Sequence, residues 1–474
     1  MAYIPTIGLE VHAELNTHTK CFCSCVNDPE VFPPNELICP VCMAHPGALP
    51  VVNREAVRQV IRVGTALGST IADFSEFDRK NYFYPDIPKG YQISQYKYPL
   101  VTGGSLAGVA VTRIHLEEDT ARSEHQSEGT LLNFNRAGVP LMELVTEPVI
   151  KSAEEAGVFA RELQLLLRTL GASRANLEKG EMRIEANISI SEDPAIFGTK
   201  VEVKNLNSFR SVERAISYEL KRHEAALSRG EKNQQETRGW DESKKVTFHQ
   251  RVKEGSADYR YFPEPDIPKM KISDIPEWSE ASIHTSLPEL PWERRARYQK
   301  EYEISAQAIT YITSSPERSQ FFDATSSLLE KNIVRVQLLA NYMASDMAGF
   351  YNERGGEEFD TAHPESVAVL MNMMCAEKLS SRAGKDILLA ILRGETDNPE
   401  AYAKEKGLLQ VSDTEELMTM VQEILKEHQS VADEYRKGKE SVMQFLVGQG
   451  MKRSRGSANP EILRAIFEKT LKEE

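Results

Sequence analysis

Positive charge is in short supply in this chain. Against 71 aspartates and glutamates stand 57 lysines and arginines, a formal net charge of −14 over 474 residues. A protein that holds nucleic acid by bulk charge does not look like this, so any RNA contact must rest on local basic patches and specific groups. Long apolar runs are missing too, and none approaches the ~20 residues that cross a bilayer. The opening MAYIPTIGLEV has no basic stretch followed by an apolar one, so it reads as the start of a mature strand, not as a signal peptide. No GxxxxGK(S/T) loop is present and no GxGxxG follows a strand, which argues against a Walker-type nucleotide site. There is no nucleophile motif of an amide hydrolase. If the chain makes amides, its ammonia comes from elsewhere. Cysteine is scarce and crowded: of six, five lie between Cys21 and Cys42. A disulfide framework would spread them along the chain, so the crowding points to a reducing compartment and a metal site. Repeats and low-complexity tracts are absent.

What remains is an ordinary globular composition, 41% hydrophobic and 27% charged, with length for roughly two or three domains. The most informative stretch is Thr6–Leu15, TIGLEVHAEL. Read with a period of two, Ile7, Leu9, Val11, Ala13 and Leu15 share one face, and Glu10, His12 and Glu14 the other. An antiparallel sheet with one wet face gives this alternation without any metal. The pattern recurs, however. In Arg183–Ile190, Glu185 and Asn187 sit between Ile184, Ala186, Ile188 and Ile190. In Lys200–Lys204, Glu202 and Lys204 oppose Val201 and Val203. In Val109–Glu118, His115 and Glu117 oppose Ile114 and Leu116. Carboxylates packed side by side on one sheet repel one another unless cations sit among them. Hard oxygen donors with an imidazole suit Mg²⁺ or Mn²⁺ on a nucleotide's phosphates, and the interspersed lysines suit a phosphoryl group in transfer.

Cys23-x-Cys25 and Cys39-x₂-Cys42, two close pairs around a short loop, have the spacing of a closed, structural tetrahedral Zn²⁺ site. Cys21 and His45 are competitors for a place in it, and Cys375, in LMNMMCA, reads as core packing. Phe77–Tyr98 interleaves Arg79, Lys80, Lys89 and Lys97 with tyrosines, as an RNA-stacking surface would, and equally as a tyrosine-rich loop packed on its domain would. The stretch DYRYFPEPD, Asp258–Asp266, has the same two readings.

One helix is marked from end to end. Ser152 and Glu155 form a capping box, Phe159, Leu163, Leu166, Leu167 and Leu170 a stripe, and Gly171 a stop. A second helical run spans Val212–Leu227. The proline-rich segment 263–291 reads as an exit, after which strand signals fade into helices. The plan is α+β: a front domain over 1–292 with a zinc-binding insertion at 21–45, a helical domain over 293–406 and a small helical tail over 407–474.

Together IGLEVHAEL, the Cys-x-Cys…CPVC segment running into PGALPVVN, FDRKNYFYPD, HLEEDTARSEH, NRAGVPLMELVTEP, VEVKNLNSF and DYRYFPEPD resemble the B subunits of the aspartyl/glutamyl-tRNA(Asn/Gln) amidotransferases, the GatB family. FLVGQGMKRSRGSANP fits that family's tail, and the inserted domain of its archaeal E-type relative is missing. The resemblance implies an antiparallel-sheet cradle similar to glutamine synthetase and the guanidino kinases, then an all-α domain and an α-helical tail. It implies that ATP phosphorylates the side-chain carboxylate of Glu or Asp misacylated onto tRNA. Ammonia from an amidase, the A subunit of the complex, then displaces the phosphate. With a small C subunit the three form a cytoplasmic heterotrimer with no membrane association. By this resemblance Glu10, His12, Glu118, Glu185 and Glu202 hold Mg²⁺. Lys80 and Lys204 meet the phosphates of ATP, with Arg79 and Asn205 beside them. Cys23, Cys25, Cys39 and Cys42 hold zinc, and Lys452, Arg453 and Arg455 contact tRNA. Alternation favours Glu117 where the family points to Glu118; a bulge would reconcile the two. Glu14 is left to solvent. Glu185 stands where the family usually has Asp, Cys21 where it has Met or Leu, and His45 where it has an apolar residue. A zinc-stabilised tRNA-binding scaffold without kinase chemistry is the alternative, and an RNA-independent small-molecule ligase a third.

Overall fold

The computed structural model describes residues 3–252, 259–354, 362–410, 414–454 and 458–473. Two compact units emerge, 1–291 and 292–474.

The first unit is built on a ten-stranded sheet. Its principal strands are β1 (Ile4–Glu14), β4 (Val109–Glu118), β5 (Pro140–Thr146), β6 (Met182–Ser191), β7 (Val201–Leu206), β8 (Glu236–Asp241) and β9 (Val246–Val252). The short strands β2 (Asp78–Asn81), β3 (Tyr91–Ser94) and β10 (Phe262–Pro263) form a separate three-stranded sheet. In the main sheet the order runs β9-β8-β7-β6-β1-β5-β4, continued by Val101–Thr102 and Thr70–Ile71. An all-antiparallel sheet was the expectation, but β7 and β8 pair in parallel. The chain reaches β8 through a helix, the connection a parallel pair requires, so the sheet is mixed.

β1 lies near the centre and alternates as its sequence dictates: Ile7, Leu9, Val11 and Ala13 are buried, while Glu10, His12 and Glu14 are half-buried on the other face. The apolar face is covered by helices, among them α1 (Arg54–Ala66), α2 (Ala153–Thr169) and α3 (Phe209–Ser228). The Ser152 hydroxyl caps α2 by accepting from the Glu155 amide at 3.1 Å. The Glu155 carboxylate reaches past the cap to the Lys151 amide at 2.7 Å, one residue beyond an ordinary capping box. The leucine stripe and Phe159 are buried.

The second unit is helical in its described residues and has two separate apolar cores. One gathers Tyr298, Phe322, Leu339, Met371 and Ile387, the other Leu417, Val421, Leu446, Leu463 and Phe467. Cys375 is only half-buried at the end of the helix Pro364–Cys375. That differs from the core role its methionine-rich surroundings suggested. No helix among the described residues is long and apolar enough to cross a membrane.

Candidate active site

Strand register assembles one polar face from five strands. Glu143 of β5 lies opposite His12 of β1 on one side and His115 of β4 on the other. Glu10 faces Glu185 of β6, and Asn187 of β6 faces Glu202 of β7. His12 Nε2 is 3.3 Å from Glu143, 3.7 Å from Glu117 and 3.8 Å from Glu10. His115 Nε2 is 3.3 Å from Glu143 and 3.7 Å from Glu117. Three overlapping sets of donor atoms result, each within 4.8 Å: Glu10, His12 and Glu143; His115, Glu117 and Glu143; Glu10, Glu185 and Glu202.

The electrostatics reflect crowding away from water. Burial pushes the Glu10 carboxyl above its ordinary range, and the charge of Glu143 adds to it. Burial alone would lower both histidines, but the hydrogen bonds and charges of their carboxylates outweigh it and hold His12 and His115 up at about 9. The imidazoles in turn keep Glu143 well below the usual carboxylate range despite its burial. Lys204 Nζ sits 2.8 Å from Glu185 and 3.9 Å from Glu202. Lys80, on β2, is raised above the usual lysine value because Glu117, Tyr261 and Glu143 outweigh the cost of its burial. Its ammonium lies over the rings of Tyr259 at 5.2 Å and Tyr82 at 5.9 Å. Asn187 Oδ1 is buried without a hydrogen-bond donor among the described residues. An orphaned acceptor opposite Glu202, within a set of carboxylates, fits a hard divalent cation.

The second constellation is the four-thiol group Cys23, Cys25, Cys39 and Cys42, whose sulfurs lie within 4.8 Å of one another. Cys39 Sγ and Cys42 Sγ are 3.9 Å apart, close to the ~3.8 Å edge of a tetrahedron with Zn–S bonds of ~2.3 Å. The hydrogen bond from Cys23 pulls the Cys42 thiol down to about 5. Neither competitor joins the group: Cys21 is buried elsewhere, and His45 is not among the four donors. Lys20, fully buried, donates to Leu37 O at 2.7 Å and approaches Cys42 Sγ at 3.9 Å. A buried ammonium against thiolates offsets their charge. Gly138, at φ +88°, passes close to both Lys20 and Cys42.

Several residues singled out from the sequence stand apart from the acidic face. β4 does have a bulge, but its register shifts at Val111–Arg113, away from 117 and 118. Glu117 therefore stays with His115, while Glu118 projects to the opposite face, where it pairs with Lys89 and accepts from the Ile93 amide at 2.9 Å. Arg79 alternates away from Lys80 on β2. It is held by Glu264 at 2.6 Å and Asp266 at 3.2 Å and stacks on Tyr91 at 4.2 Å. Asn205 is exposed in the left-handed region at φ +63°. Glu14 is not left to solvent: it is half-buried, and burial beside Asp119 raises its carboxyl to about 8. In the tail, Arg453 is engaged by Glu427 at 2.8 Å and Glu423 at 2.9 Å. Arg455, like Asp258 of DYRYFPEPD, lies outside the described residues.

Glu143 and Lys20 had no part in the sequence-derived site. Glu143 is the single acid in the apolar run PLMELV, and only the neighbours of β5 show that it belongs with two histidines. The tyrosines of Phe77–Tyr98 and of DYRYFPEPD come together: Tyr96 and Tyr261 stack at 4.3 Å, and Tyr82 and Tyr259 meet edge to face at 5.9 Å.

Residues 5–277 match the family model described as the GatB/GatE catalytic domain, and residues 320–471 match that of the GatB domain. The chain is 44% identical to the aspartyl/glutamyl-tRNA(Asn/Gln) amidotransferase B subunit of Thermus thermophilus, over 98% of each chain. It is 41% identical to the protein of the same name from Thermotoga maritima over the full length of both. The identity to that of Gloeothece citriformis is 38%, over 99% of this chain and 98% of the other.

Proposed function

The chain belongs to the family of aspartyl/glutamyl-tRNA(Asn/Gln) amidotransferase B subunits, and from that premise we propose that it is the component that activates the carboxylate. The substrate is Glu or Asp carried by the wrong tRNA, Glu-tRNA(Gln) or Asp-tRNA(Asn). ATP gives its γ-phosphoryl to the side-chain carboxylate, since an acyl phosphate has the leaving group that a free carboxylate lacks. Ammonia attacks, phosphate departs, and the amide forms. The ammonia comes from a partner amidase, the A subunit, and a small C subunit makes up the cytoplasmic heterotrimer.

The observation that carries this reading is the set of three overlapping carboxylate–imidazole groups on one sheet face. Glu10, His12, Glu117, Glu143, Glu185 and Glu202 are the residues that would hold Mg²⁺. When bound there, the cation would supply positive charge against the phosphates and the phosphoryl group in transfer. Lys80 and Lys204 flank that face as the cations for developing phosphoryl charge. His12 and His115 hold Glu143 ionised and in place. Glu118, turned to the other face, is not in this set. Cys23, Cys25, Cys39 and Cys42 would hold a structural zinc that ties the 21–45 insertion down. Domains at 1–292, 293–406 and 407–474 suit a cradle of glutamine synthetase type, a helical connector and a tRNA-reading tail.

A scaffold that only binds tRNA has no need of such a face, and a ligase acting on free amino acids has no need of the tail. The test is co-expression with the amidase and small partners from the same genome, followed by ATP- and glutamine-dependent conversion of Glu-tRNA(Gln) and Asp-tRNA(Asn), each assayed alone. Glu10→Ala and Glu185→Ala should abolish amidation and leave tRNA binding near wild type. Full activity in both variants would overturn the kinase assignment.

A further inference from the structure

The outer edge of β4 pairs with Val101–Thr102 only as far as Ile114. Beyond it the Leu116 amide and the Glu118 carbonyl still need partners, and side chains from β3 and the residue after it supply them. Gln95 Oε1 accepts from the Leu116 amide at 3.1 Å, and Gln92 Nε2 donates to the Glu118 carbonyl at 2.6 Å. Between these two, the Ser94 hydroxyl donates to Glu117 Oε2 at 2.9 Å. We propose that Ser94 is a positioning residue: its hydroxyl fixes the Glu117 carboxylate by one oxygen and so sets the other for the cation that the acidic face would hold. The inference rests on the carboxylate-activating role argued above and adds to it a residue that acts through Glu117.

Three observations carry it. First, Glu117 lacks the anchors that Glu143 has. Glu143 has an imidazole 3.3 Å away on each side, whereas the same two imidazoles stand 3.7 Å from Glu117. Among the described residues the Ser94 hydroxyl is the shortest polar contact of that carboxylate. Second, the two oxygens are divided. Ser94 and His115 meet Oε2, and Oε1 is the oxygen turned to His12. A carboxylate tied down at one oxygen loses rotamers in which the other could swing away, and hydrogen bonds from outside a metal site orient its ligands in this manner. Third, Ser94 and Glu117 are both buried. A hydroxyl is costlier to bury than a methyl, so packing alone does not call for serine here. The register of β2 with β3 sets Asp78 opposite Ser94 and Lys80 opposite Gln92. Ser94 therefore shares a face of the small sheet with Lys80, and one strand pair brings both the hydroxyl and that cation to the acidic face.

The probe is Mn²⁺, titrated by electron paramagnetic resonance into the co-expressed complex without nucleotide or RNA. Glu117→Gln identifies the binding that belongs to the acidic face. Ser94→Ala should weaken that binding about ten- to a hundred-fold, the usual cost of losing an outer partner of a metal ligand. The kcat of amidation should fall with it, while KM for the misacylated tRNA holds. Ser94→Thr keeps a hydroxyl and should bind Mn²⁺ near wild type. Gln95→Met loosens the same edge at Leu116 without touching a carboxylate, so it should lower the melting temperature and spare Mn²⁺ affinity. Unchanged Mn²⁺ affinity in Ser94→Ala overturns the assignment of Ser94. So does an equal loss in Gln95→Met, which would make the whole edge merely structural. Both of those results leave the carboxylate-activating role standing. Mn²⁺ binding that Glu117→Gln does not touch overturns the cation site on this face, and the role of Ser94 with it.

Discussion

At the scale of single residues, Glu143 has the most at stake. It is buried between two imidazoles, each 3.3 Å away. Glu143→Gln keeps the shape and removes the charge. We expect a drop in amidation of at least about a hundred-fold, of the order seen when one electrostatic group of a reaction centre is lost, with tRNA affinity unchanged in filter binding. A structural counterpart lies on α3. Glu219 is fully buried and receives Arg222 through Nε at 3.0 Å and Nη2 at 2.8 Å. Burial would raise its carboxyl, but hydrogen bonds from His223, Arg222 and Thr247 outweigh it and hold it at about 2. A carboxyl lower in the folded chain than in the unfolded one stabilises above the unfolded value and loses that contribution as the pH falls. Denaturant titrations should therefore show up to about 3 kcal/mol disappearing between about pH 4.5 and 2. Glu219→Gln should be less stable at pH 7 and flatter across that window. Much of the candidate site was legible at this scale, because a period of two names the face on which each side chain lies. Glu143 was not, because one acid in PLMELV has no polar neighbour on its own strand.

At the scale of elements, local chemistry predicted local structure well. The Ser152 cap and the leucine stripe produced the helix their spacing implies, and Ser152→Ala should lower stability by about 1 kcal/mol in urea titration. The four-thiol group was readable because its ligands lie within one short segment. Chelation should release one zinc per chain, and Cys42→Ser should cut the zinc content measured by elemental analysis. Register was less legible. Whether 117 or 118 turns to the acidic face depends on where β4 takes its extra residue, and the bulge at Val111–Arg113 follows from how β5 pairs with it. The parallel pairing of β7 with β8 was hidden for the same reason: a strand's partners are chosen by the whole sheet.

At the scale of the whole molecule, a net charge of −14 limits RNA contact to local clusters, and those clusters are not equally available. Arg453 is engaged by Glu423 and Glu427, whereas Lys452 has no ion pair among the described residues. Lys452→Glu should weaken tRNA binding and lower its salt slope by about 1. Arg453→Ala should act mainly through tail stability, read by thermal melting of the intact chain. The sequence by itself determined the alternating strands, the capped helix, the thiol quartet and the change from sheet to helix near residue 291, because each depends on residues close in the chain. Only the tertiary structure decided that Glu143 joins His12 and His115, that Glu118 and Arg79 turn away, and that Glu14 is half-buried beside Asp119. Those outcomes depend on strands that lie far apart in the chain and are brought side by side by the sheet.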